Sequence, residues 1–503
     1  MLINDLHVED DNTITLPYKF TPREYQLSLM RAMIPELFPP VPTITDIILD
    51  REPSHAMNVK NAVAVWHRRA GKDKCSINIL ICRAMIDTPG YYLYMAPEAA
   101  QARKIIWQGI GSDGMKFIDH IPPEIIKTKR DQEMYVELIN GSVIQIGGAD
   151  NYDSLVGTNP RGIIFSEYSI QNPAALQYFR PMLVENKGWA LFIYTSRGHN
   201  HGWDLRNTAK ARVGETPSHP DWFYQCITID ESKREDGTPV ITQQAYLDEI
   251  ANGMPEATAK QEFYCDFDQG MPGAYYADII SKLHKTGAIG YFPHDPMLNV
   301  VTAWDLGLND SNAIWFIQVA PSGPRVINYM EESNVPMTEW VKRVQEQPYN
   351  YFDHIAPHDI NQRDPMTGFN RLEKCKELGL YFTVAPKLSR ADGIEASRAL
   401  LPICQFDETS CRPGIEALMG YERIYDEKLR RFKDTPHHNW CSHGADSWRY
   451  FAILWDDYKD MNSPIRPHYV IKTSGEKQLK NSGSLPPLRM GGVVHKNGEY
   501  YGR

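Results

Sequence analysis

The sequence lacks any hydrophobic run that approaches the roughly 20 apolar residues needed for a membrane-spanning helix. Its first residues, MLINDLHVEDDN, are acidic and contain no apolar segment, so we expect no signal peptide there. The 8 cysteines are scattered and form no CxxC pair. This spacing indicates neither a zinc ribbon nor a disulfide framework, and it favours a reducing compartment such as the cytosol.

An excess of positive charge is also missing, because the formal net charge is -10. A protein coated with nucleic acid needs clustered Lys and Arg, so this balance argues against that class. It leaves room for an enzyme that holds nucleic acid locally. Hydrophobic residues make up 42% and charged residues 23%, as in ordinary soluble globular proteins.

The length of 503 residues predicts two domains. In the first part, short apolar runs alternate with helical segments, which predicts an α/β fold with a mostly parallel sheet. The predicted strands there are 62–66, 91–95, 142–146, 162–165 and 190–194, with a helix at about 74–85.

The second predicted domain opens with three apolar runs separated by turns, which indicates a β-meander. Its strands are predicted at 298–304, 313–319 and 325–331, with a closing helix near 440–455. We therefore place the domains at 1–268 and 298–458, a linker at 269–297 and a mobile, mildly basic tail at 459–503.

A basic loop follows the first of these strands and precedes its helix, which is the setting of a phosphate-binding P-loop. The strict pattern GxxxxGK[ST] fails twice, because Trp66 replaces the first Gly and Asp73 replaces the Ser or Thr that binds Mg²⁺. A basic turn after a buried strand would explain the loop alone equally well. The candidate nucleotide ligands are Arg68, Arg69, Ala70, Gly71, Lys72 and Asp73.

A second motif favours the nucleotide site. The apolar strand that ends at Phe165 runs into Ser166 and Glu167, as a Walker B strand runs into its acidic pair. Ser166 stands where an Asp is expected, and Asp73 stands where a hydroxyl is expected. We therefore predict that Asp73 and Ser166 flank the same Mg²⁺ with exchanged positions, while Glu167 activates the attacking water.

Two further segments are candidates for this site. Arg197, in Thr195-Ser196-Arg197-Gly198 at the end of a strand, suits a sensor of γ-phosphate loss, although an ordinary loop is the simpler interpretation. Gln26 could bond an adenine edge. The same segment also predicts a helix start, with Thr21 as N-cap, Pro22 at N1 and Glu24 at N3.

Three aspartates follow the ends of separate predicted elements in the second domain: Asp305, Asp359 and Asp446. Carboxylates that converge in this way bind Mg²⁺ or Mn²⁺, and two such ions support phosphodiester cleavage. Each Asp alone is more simply explained as a cap or turn residue. Weaker candidates are Glu331, Asp310 and His358, and we expect Asp310 to be a solvated surface residue.

The ordered set of motifs resembles the large subunit of tailed-bacteriophage terminases, in the branch with HK97-like heads, nearly to position 457. The motifs are HRRAGKD (67–73), GGADNYDSLVG (147–157), IIFSEYS (163–169), TSRG (195–198), TAWDLG (302–307), PHD (357–359) and SHGADSWRY (442–450).

This resemblance implies a P-loop ATPase domain and an RNase H-like nuclease domain. It implies ATP with Mg²⁺ in the first and two divalent ions, Mg²⁺ or Mn²⁺, held by the three aspartates in the second. Lys72 would bind phosphates, Glu167 would activate water, Arg68 would act on the γ-phosphate, and Arg197 would couple hydrolysis to movement. The departures at Trp66, Asp73 and Ser166 put the Mg²⁺ shell in question.

The resemblance also implies partners and a location: double-stranded viral DNA, the portal of a procapsid, a terminase small subunit, and further copies in a ring, all in the host cytoplasm. Two other interpretations remain open. One is a helicase-like or repair ATPase whose second domain binds DNA without cutting it. The other is an assembly scaffold with a decayed loop, which the intact Lys72 and Glu167 disfavour.

Overall fold

A computed structural model describes residues 6–8, 12–39, 59–111, 113–155, 157–214, 219–268, 273–307, 311–361, 371–426 and 431–459. Asp310 and the predicted tail beyond position 459 lie outside these residues. No described helix is long and apolar enough to cross a membrane.

The strands of the first part are β1 (Leu6–Val8), β2 (Asn12–Ile14), β3 (Asn61–Trp66), β4 (Tyr91–Ala96), β5 (Ile126–Arg130), β6 (Tyr135–Leu138), β7 (Val143–Gly148), β8 (Pro160–Ser166), β9 (Trp189–Tyr194) and β10 (Trp222–Ile227). Its α-helices are α1 (Glu24–Met33), α2 (Lys72–Ile86), α3 (Ala99–Ala102), α4 (Ala174–Glu185), α5 (His201–Gly214), α6 (Gln243–Ala251) and α7 (Glu256–Tyr264).

The strands that follow are β11 (Ile289–Gly290), β12 (Val300–Leu306), β13 (Asn312–Ala320), β14 (Gly323–Glu332), β15 (Tyr351–Ala356), β16 (Thr383–Val384), β17 (Gln405–Asp407), β18 (Arg423–Asp426) and β19 (Arg431–Pro436). The α-helices with them are α8 (Ala277–Thr286), α9 (Met337–Gln345), α10 (Arg371–Glu377), α11 (Arg390–Leu400), α12 (Glu408–Gly420), α13 (Cys441–Ile453) and α14 (Trp455–Tyr458).

The first sheet has the strand order β10-β3-β9-β8-β4-β7-β6-β5. The strands from β10 to β7 are parallel, and β6 and β5 extend the sheet in antiparallel fashion. Because β9 lies between β3 and β8, the loop after β3, the acidic end of β8 and the polar end of β9 meet at one edge. Separate hydrophobic clusters cover the two faces, as expected for strands that are apolar on both sides.

The second sheet has the order β11-β17-β14-β13-β12-β15-β16. Strands β12, β13 and β14 form the predicted antiparallel meander, and β15 pairs parallel with β12. If β12 is counted as the first strand, the strands β14-β13-β12-β15-β16 have the order 3-2-1-4-5, and the second strand is antiparallel to the first. This is the RNase H-like layout, so the predicted α/β fold class is confirmed. Helix α13 packs on the meander, where Trp315 Nε1 donates to Gly444 O at 2.8 Å.

The element predictions are incomplete. In the first sheet, strands β5, β6 and β10 were missed, because β5 is polar and half-exposed, β6 has only four residues and β10 is mostly only partly buried. Strands β15, β16 and β17 of the second sheet were also not predicted. The Thr21 cap is wrong: α1 begins at Glu24, with Arg23 as N-cap. The segment predicted as a linker contains helix α8 and strand β11, and β11 joins the second sheet.

Candidate functional site

The loop between β3 and α2 adopts the tight path of a phosphate-binding loop. The φ angles of Arg69 and Gly71 are positive, at 72° and 77°. A Cβ at Gly71 would lie 3.1 Å from Gln26 Nε2, so both its φ and its surroundings favour glycine. Lys72 is the first residue of α2. The N-terminus of α2 and the Lys72 side chain therefore lie together at the end of the loop, as anion binding requires.

Lys72 lies buried at the edge of the sheet where the loop and the acidic strand meet. Its Nζ donates to the carbonyl oxygens of Trp66 at 3.2 Å and His67 at 3.4 Å. The same Nζ is 3.5 Å from Glu167 Oε1. The structure therefore brings together the two residues predicted to bind phosphate and to activate water.

Asp73 and Ser166 are in direct contact across two neighbouring elements, α2 and β8. Ser166 Oγ donates to Asp73 Oδ1 at 2.8 Å, and Tyr94 OH donates to the same oxygen at 2.7 Å. Burial and the Asp73 charge raise the pKa of Tyr94 well above its usual value, so its hydroxyl remains a donor. The contact is compatible with the predicted exchange of one carboxylate and one hydroxyl, which stays a prediction. Both side chains offer oxygen atoms, the ligand type that Mg²⁺ prefers.

Glu167 is held by the end of the neighbouring strand. Its φ is 52°, and its Oε2 accepts from the backbone N and the Oγ1 of Thr195, both at 3.3 Å. Oxygen Oε1 of the same carboxylate faces Lys72. A left-handed, non-glycine backbone at a predicted catalytic residue is the kind of local strain that surrounding contacts must sustain.

Arg197, the predicted sensor, contacts a carboxylate that the sequence did not single out. Its Nη2 donates to Glu262 Oε1 at 2.5 Å. Arg68 and Arg69 are exposed on the loop, and the Arg68 backbone N–H donates to Glu262 O at 2.7 Å. No motif around Glu262 points to a role in the site, because Glu262 lies on α7, far along the chain from Arg68 and Arg197.

Gln26 lies against the loop but is not open to an adenine edge. Its Nε2 donates to Ala70 O at 3.0 Å, and its Oε1 accepts from the Arg23 N–H at 2.9 Å. Tyr25 OH donates to the same Ala70 oxygen at 2.8 Å. Because Gln26 is only 2% exposed, its side chain is not accessible to a base in this structure, and adenine binding by Gln26 stays a prediction.

His67 anchors the start of the loop. Its Nδ1 lies 2.6 Å from Arg68 O, and its Nε2 lies 2.8 Å from Ser232 Oγ. Burial lowers the pKa of His67 to about 4, so the ring is neutral at pH 7. A neutral ring with Nδ1–H bonded to the carbonyl can accept from Ser232, which ties the loop to the segment after β10.

In the second sheet, Asp305 lies near the end of β12, partly exposed. His443 Nδ1 on α13 is 3.3 Å from Asp305 Oδ2. Burial raises the pKa of Asp305, contact with His443 lowers it, and the charges of Asp446 and Asp359 raise it further. The three predicted aspartates therefore act on one another electrostatically and share one region.

The other two predicted metal ligands, Asp446 and Asp359, have surroundings different from those of Asp305. Asp446 Oδ1 is 3.3 Å from Arg449 Nη1 and accepts from Tyr421 OH at 3.4 Å. Asp359 is exposed on the short helical turn His358–Asn361. Among the described residues, no three His, Cys, Asp or Glu side chains are grouped closely enough to hold a metal ion. The donor chemistry suits Mg²⁺ or Mn²⁺, but the spacing is wider than ligation needs.

The weaker candidates differ in position. Glu331 Oε2 accepts from Tyr329 OH at 2.6 Å. Burial and the charges of Glu331 and Asp305 raise the pKa of Tyr329, so Glu331 faces the same region as Asp305. His358 is exposed beside Asp359. Sequence reasoning missed His443, although it lies in the segment SHGADSWRY that supplied Asp446.

No protein-family model matches this chain. A curated relative, the terminase large subunit of Escherichia phage T5, is 25% identical over 341 residues, which cover 65% of this chain and 73% of the relative.

Among solved structures, the large terminase of a thermophilic bacteriophage in complex with ADP is 12% identical, covers 78% of this chain and 94% of its own, and has a TM-score of 0.32. The nuclease domain of the P22 large terminase is 17% identical, covers 34% and 89%, and has a TM-score of 0.27. The fold is identified here from this chain's own strand order. The curated relative confirms the resemblance predicted from the motifs: this chain is similar to the large subunit of phage terminases.

Proposed function

We propose that this chain is a terminase large subunit that hydrolyses ATP to move double-stranded viral DNA and cuts that DNA with a metal-dependent nuclease site. The observation that carries the proposal is the edge of the first sheet. There, the ends of three strands place Lys72 and Thr195 in contact with the two carboxylate oxygens of Glu167. The RNase H-like second sheet, with Asp305 near the end of its first meander strand, supplies the second chemistry.

In the ATP site, Lys72 and the N-terminus of α2 would bind the phosphates. Asp73 and Ser166 would hold the Mg²⁺, which supplies charge neutralisation on the phosphates when bound. Glu167 would orient the attacking water and accept its proton, with Thr195 fixing the carboxylate. Arg68 and Arg197 would respond to the γ-phosphate.

In the nuclease site, Asp305, Asp359 and Asp446 would hold two divalent ions. Those ions would stabilise the attacking and leaving oxygens of the phosphodiester. Asp446 is paired with Arg449, so taking part in metal binding would require it to leave that partner. This competition predicts weak metal binding until DNA or a partner reshapes the site.

We extend the proposal to the finer features that the resemblance implied. The ATP-site ion would be Mg²⁺, and the working form would be a ring of copies on a procapsid portal, recruited with a terminase small subunit in the host cytoplasm. The chain would divide into the ATPase domain at 1–268, the nuclease domain at 298–458 joined by α8 and β11 that precede it, and a tail.

The experiment for this proposal compares two activities of the full chain. Supercoiled plasmid is incubated with Mn²⁺, and released phosphate is measured with ATP, for the wild type, Asp305→Ala and the exposed control Asp456→Ala. We expect the wild type and Asp456→Ala to linearise plasmid and Asp305→Ala to fail while still hydrolysing ATP.

Other outcomes select the other interpretations. ATP hydrolysis without plasmid cutting by the wild type would favour the helicase-like ATPase. Absence of both activities, even with DNA and procapsids present, would favour the scaffold.

A further inference from the structure

Glu262 occupies a buried position between the predicted phosphate loop and the predicted sensor. It lies on α7 and is only 5% exposed. Its side chain accepts from Arg197, and its backbone oxygen accepts from the N–H of Arg68. One residue therefore contacts both arginines that the sequence assigned to the nucleotide.

The charges around Glu262 explain why it stays ionised. Burial alone would raise the pKa of its carboxyl, but the charges of Arg197, Arg68 and Lys72 outweigh burial and lower it. For Arg197, burial opposes the charge, and Glu262, Glu167 and Glu422 together raise its pKa above the usual value. Arg197 thus lies in the field of three carboxylates but makes its ion pair with Glu262.

The end of β9 is fixed to the end of α7 by further contacts. Ser196 Oγ donates to Gln261 O at 3.2 Å and to Asp266 O at 2.8 Å. Cys265 Sγ contacts Val65 O at 3.7 Å, which joins the same segment to β3. The backbone is therefore held independently of the Glu262 carboxylate, so removing that charge alone leaves the local fold anchored.

We propose that Glu262 is a positioning residue for ATP hydrolysis, which holds the Arg197 guanidinium away from Glu167. This inference rests on the proposed function. With Glu262 charged, Glu167 is left to Lys72 and Thr195 and remains available to water. With that charge removed, Glu167 and Glu422 are the carboxylates left to act on Arg197. An arginine pair with Glu167 would block Glu167 as a base.

The test measures steady-state ATP hydrolysis by Glu262→Gln, with Glu256→Gln as matched control. Glu256 is on the same helix but exposed, where it pairs with Lys260 at 2.9 Å. Rates are normalised to the number of sites that bind ATPγS, which removes any misfolded fraction. We expect Glu262→Gln to lose about 10- to 100-fold in kcat with KM for ATP changed by less than about twofold. Glu256→Gln should match the wild type.

Two further variants separate positioning from simple support of the fold. Glu262→Asp keeps the charge and should recover part of kcat. In the double variant Arg197→Ala/Glu262→Gln, the loss should equal that of Arg197→Ala alone, because Glu262 acts through Arg197. A structural role alone would lower the melting temperature and the fraction of binding sites without changing kcat per site.

Three outcomes would overturn the inference. Wild-type kcat in Glu262→Gln would do so, as would losses that multiply in the double variant. Absence of ATP turnover in the wild type would overturn the proposed function and this inference with it. Normal wild-type turnover with an unaffected Glu262→Gln would overturn only the inference.

Discussion

At the scale of residues, the contact between Asp73 and Ser166 is the most informative feature of the ATP site. Each residue is of the wrong type for its position in a strict nucleotide-binding motif, yet the two side chains meet at 2.8 Å. A hydroxyl and a carboxylate that are in contact can both lie beside one ion, and it does not matter which of the two comes from α2 and which from β8. The unusual loop is therefore compatible with an intact site.

Exchanging the two residues tests this interpretation. Asp73→Ser should lower Mg²⁺-dependent ATP turnover about tenfold or more, because the carboxylate near the ion is lost. Adding Ser166→Asp should restore part of the rate by returning a carboxylate from β8. Turnover is measured over a Mg²⁺ titration, with the exposed Asp248→Ser as control. Losses that simply multiply in the double variant would contradict the exchange.

At the scale of elements, the second sheet depends on close approach of α12 to the meander. A Cβ at Gly414 on this helix would lie 2.3 Å from Trp315 Cη2 and 2.7 Å from Tyr329 Cγ. Trp315 also anchors α13 through Gly444. One aromatic residue of β13 therefore sets the positions of two helices, and α13 carries His443 and Asp446 toward Asp305.

Gly414→Ala is expected to destabilise the protein by about 1–3 kcal/mol, because the added methyl group must displace a fully buried ring. The measurement is the free energy of unfolding in denaturant. Gly214→Ala is the control, since a Cβ at Gly214, at the end of α5, meets none of the described residues within 4 Å. Equal stability of the two variants would contradict the tight packing of α12.

The elements also show what the sequence could reveal. The buried parallel strands β3, β4, β8 and β9 were predicted within a few residues, because continuous apolar runs between helices have few other solutions. Strand β5 was not, since its residues IKTKR have no apolar pattern and its pairing partner determines its shape. The 269–297 segment was interpreted as a linker because its Gly and Pro residues mask the short helix α8.

The residues of the candidate site also fall into those that the sequence could predict and those that it could not. Lys72, Glu167 and Asp305 were predictable because each lies at or just beyond the end of a buried strand, where chain order fixes the location. Glu262 and His443 were not singled out, since their roles come from contacts with residues more than 60 positions away. Gln26 was predicted to recognise a base. In the structure, both ends of its side-chain amide instead form hydrogen bonds within the protein, one of them to the phosphate-binding loop.

At the scale of the whole molecule, helices of the two sheets meet along a cleft of about 1200 Å³. Arg412 on α12 pairs with Asp204 on α5 and with Glu416 at 3.2 Å. His201 Nδ1 lies 3.9 Å from Glu416 Oε2. Trp440 Nε1 donates to the carbonyl oxygen of Ile170 at 3.2 Å, just beyond the acidic end of β8. The ATP and nuclease regions are thus in contact through a few charged and aromatic groups.

Glu416 makes this contact sensitive to pH. Burial raises its pKa to about 7, Arg412 lowers it, and Asp204 raises it. An acid with a raised folded-state pKa contributes stability that is complete below its ordinary pKa of 4.5 and lost as pH rises through about 7. Glu416→Gln imitates the neutral acid, so its melting temperature relative to the wild type should rise between pH 5 and pH 8.

The control for this pH series is Glu408→Gln, an exposed position on the same helix. Its melting temperature should follow the wild type across the whole range. A constant offset between Glu416→Gln and the wild type at every pH would contradict the raised pKa of the buried carboxyl.

The central claim is that one chain carries two independent chemistries at the edges of two sheets. The most direct test crosses two variants, Lys72→Ala and Asp305→Ala, with two assays, phosphate release from ATP and Mn²⁺-dependent plasmid cleavage without nucleotide. Lys342→Ala, an exposed lysine, serves as control. We expect Lys72→Ala to lose about 100-fold or more in phosphate release yet still cut DNA, and Asp305→Ala to show the reverse. Phosphate release by Lys72→Ala at the wild-type rate, or cleavage by Asp305→Ala at the wild-type rate, would contradict the account.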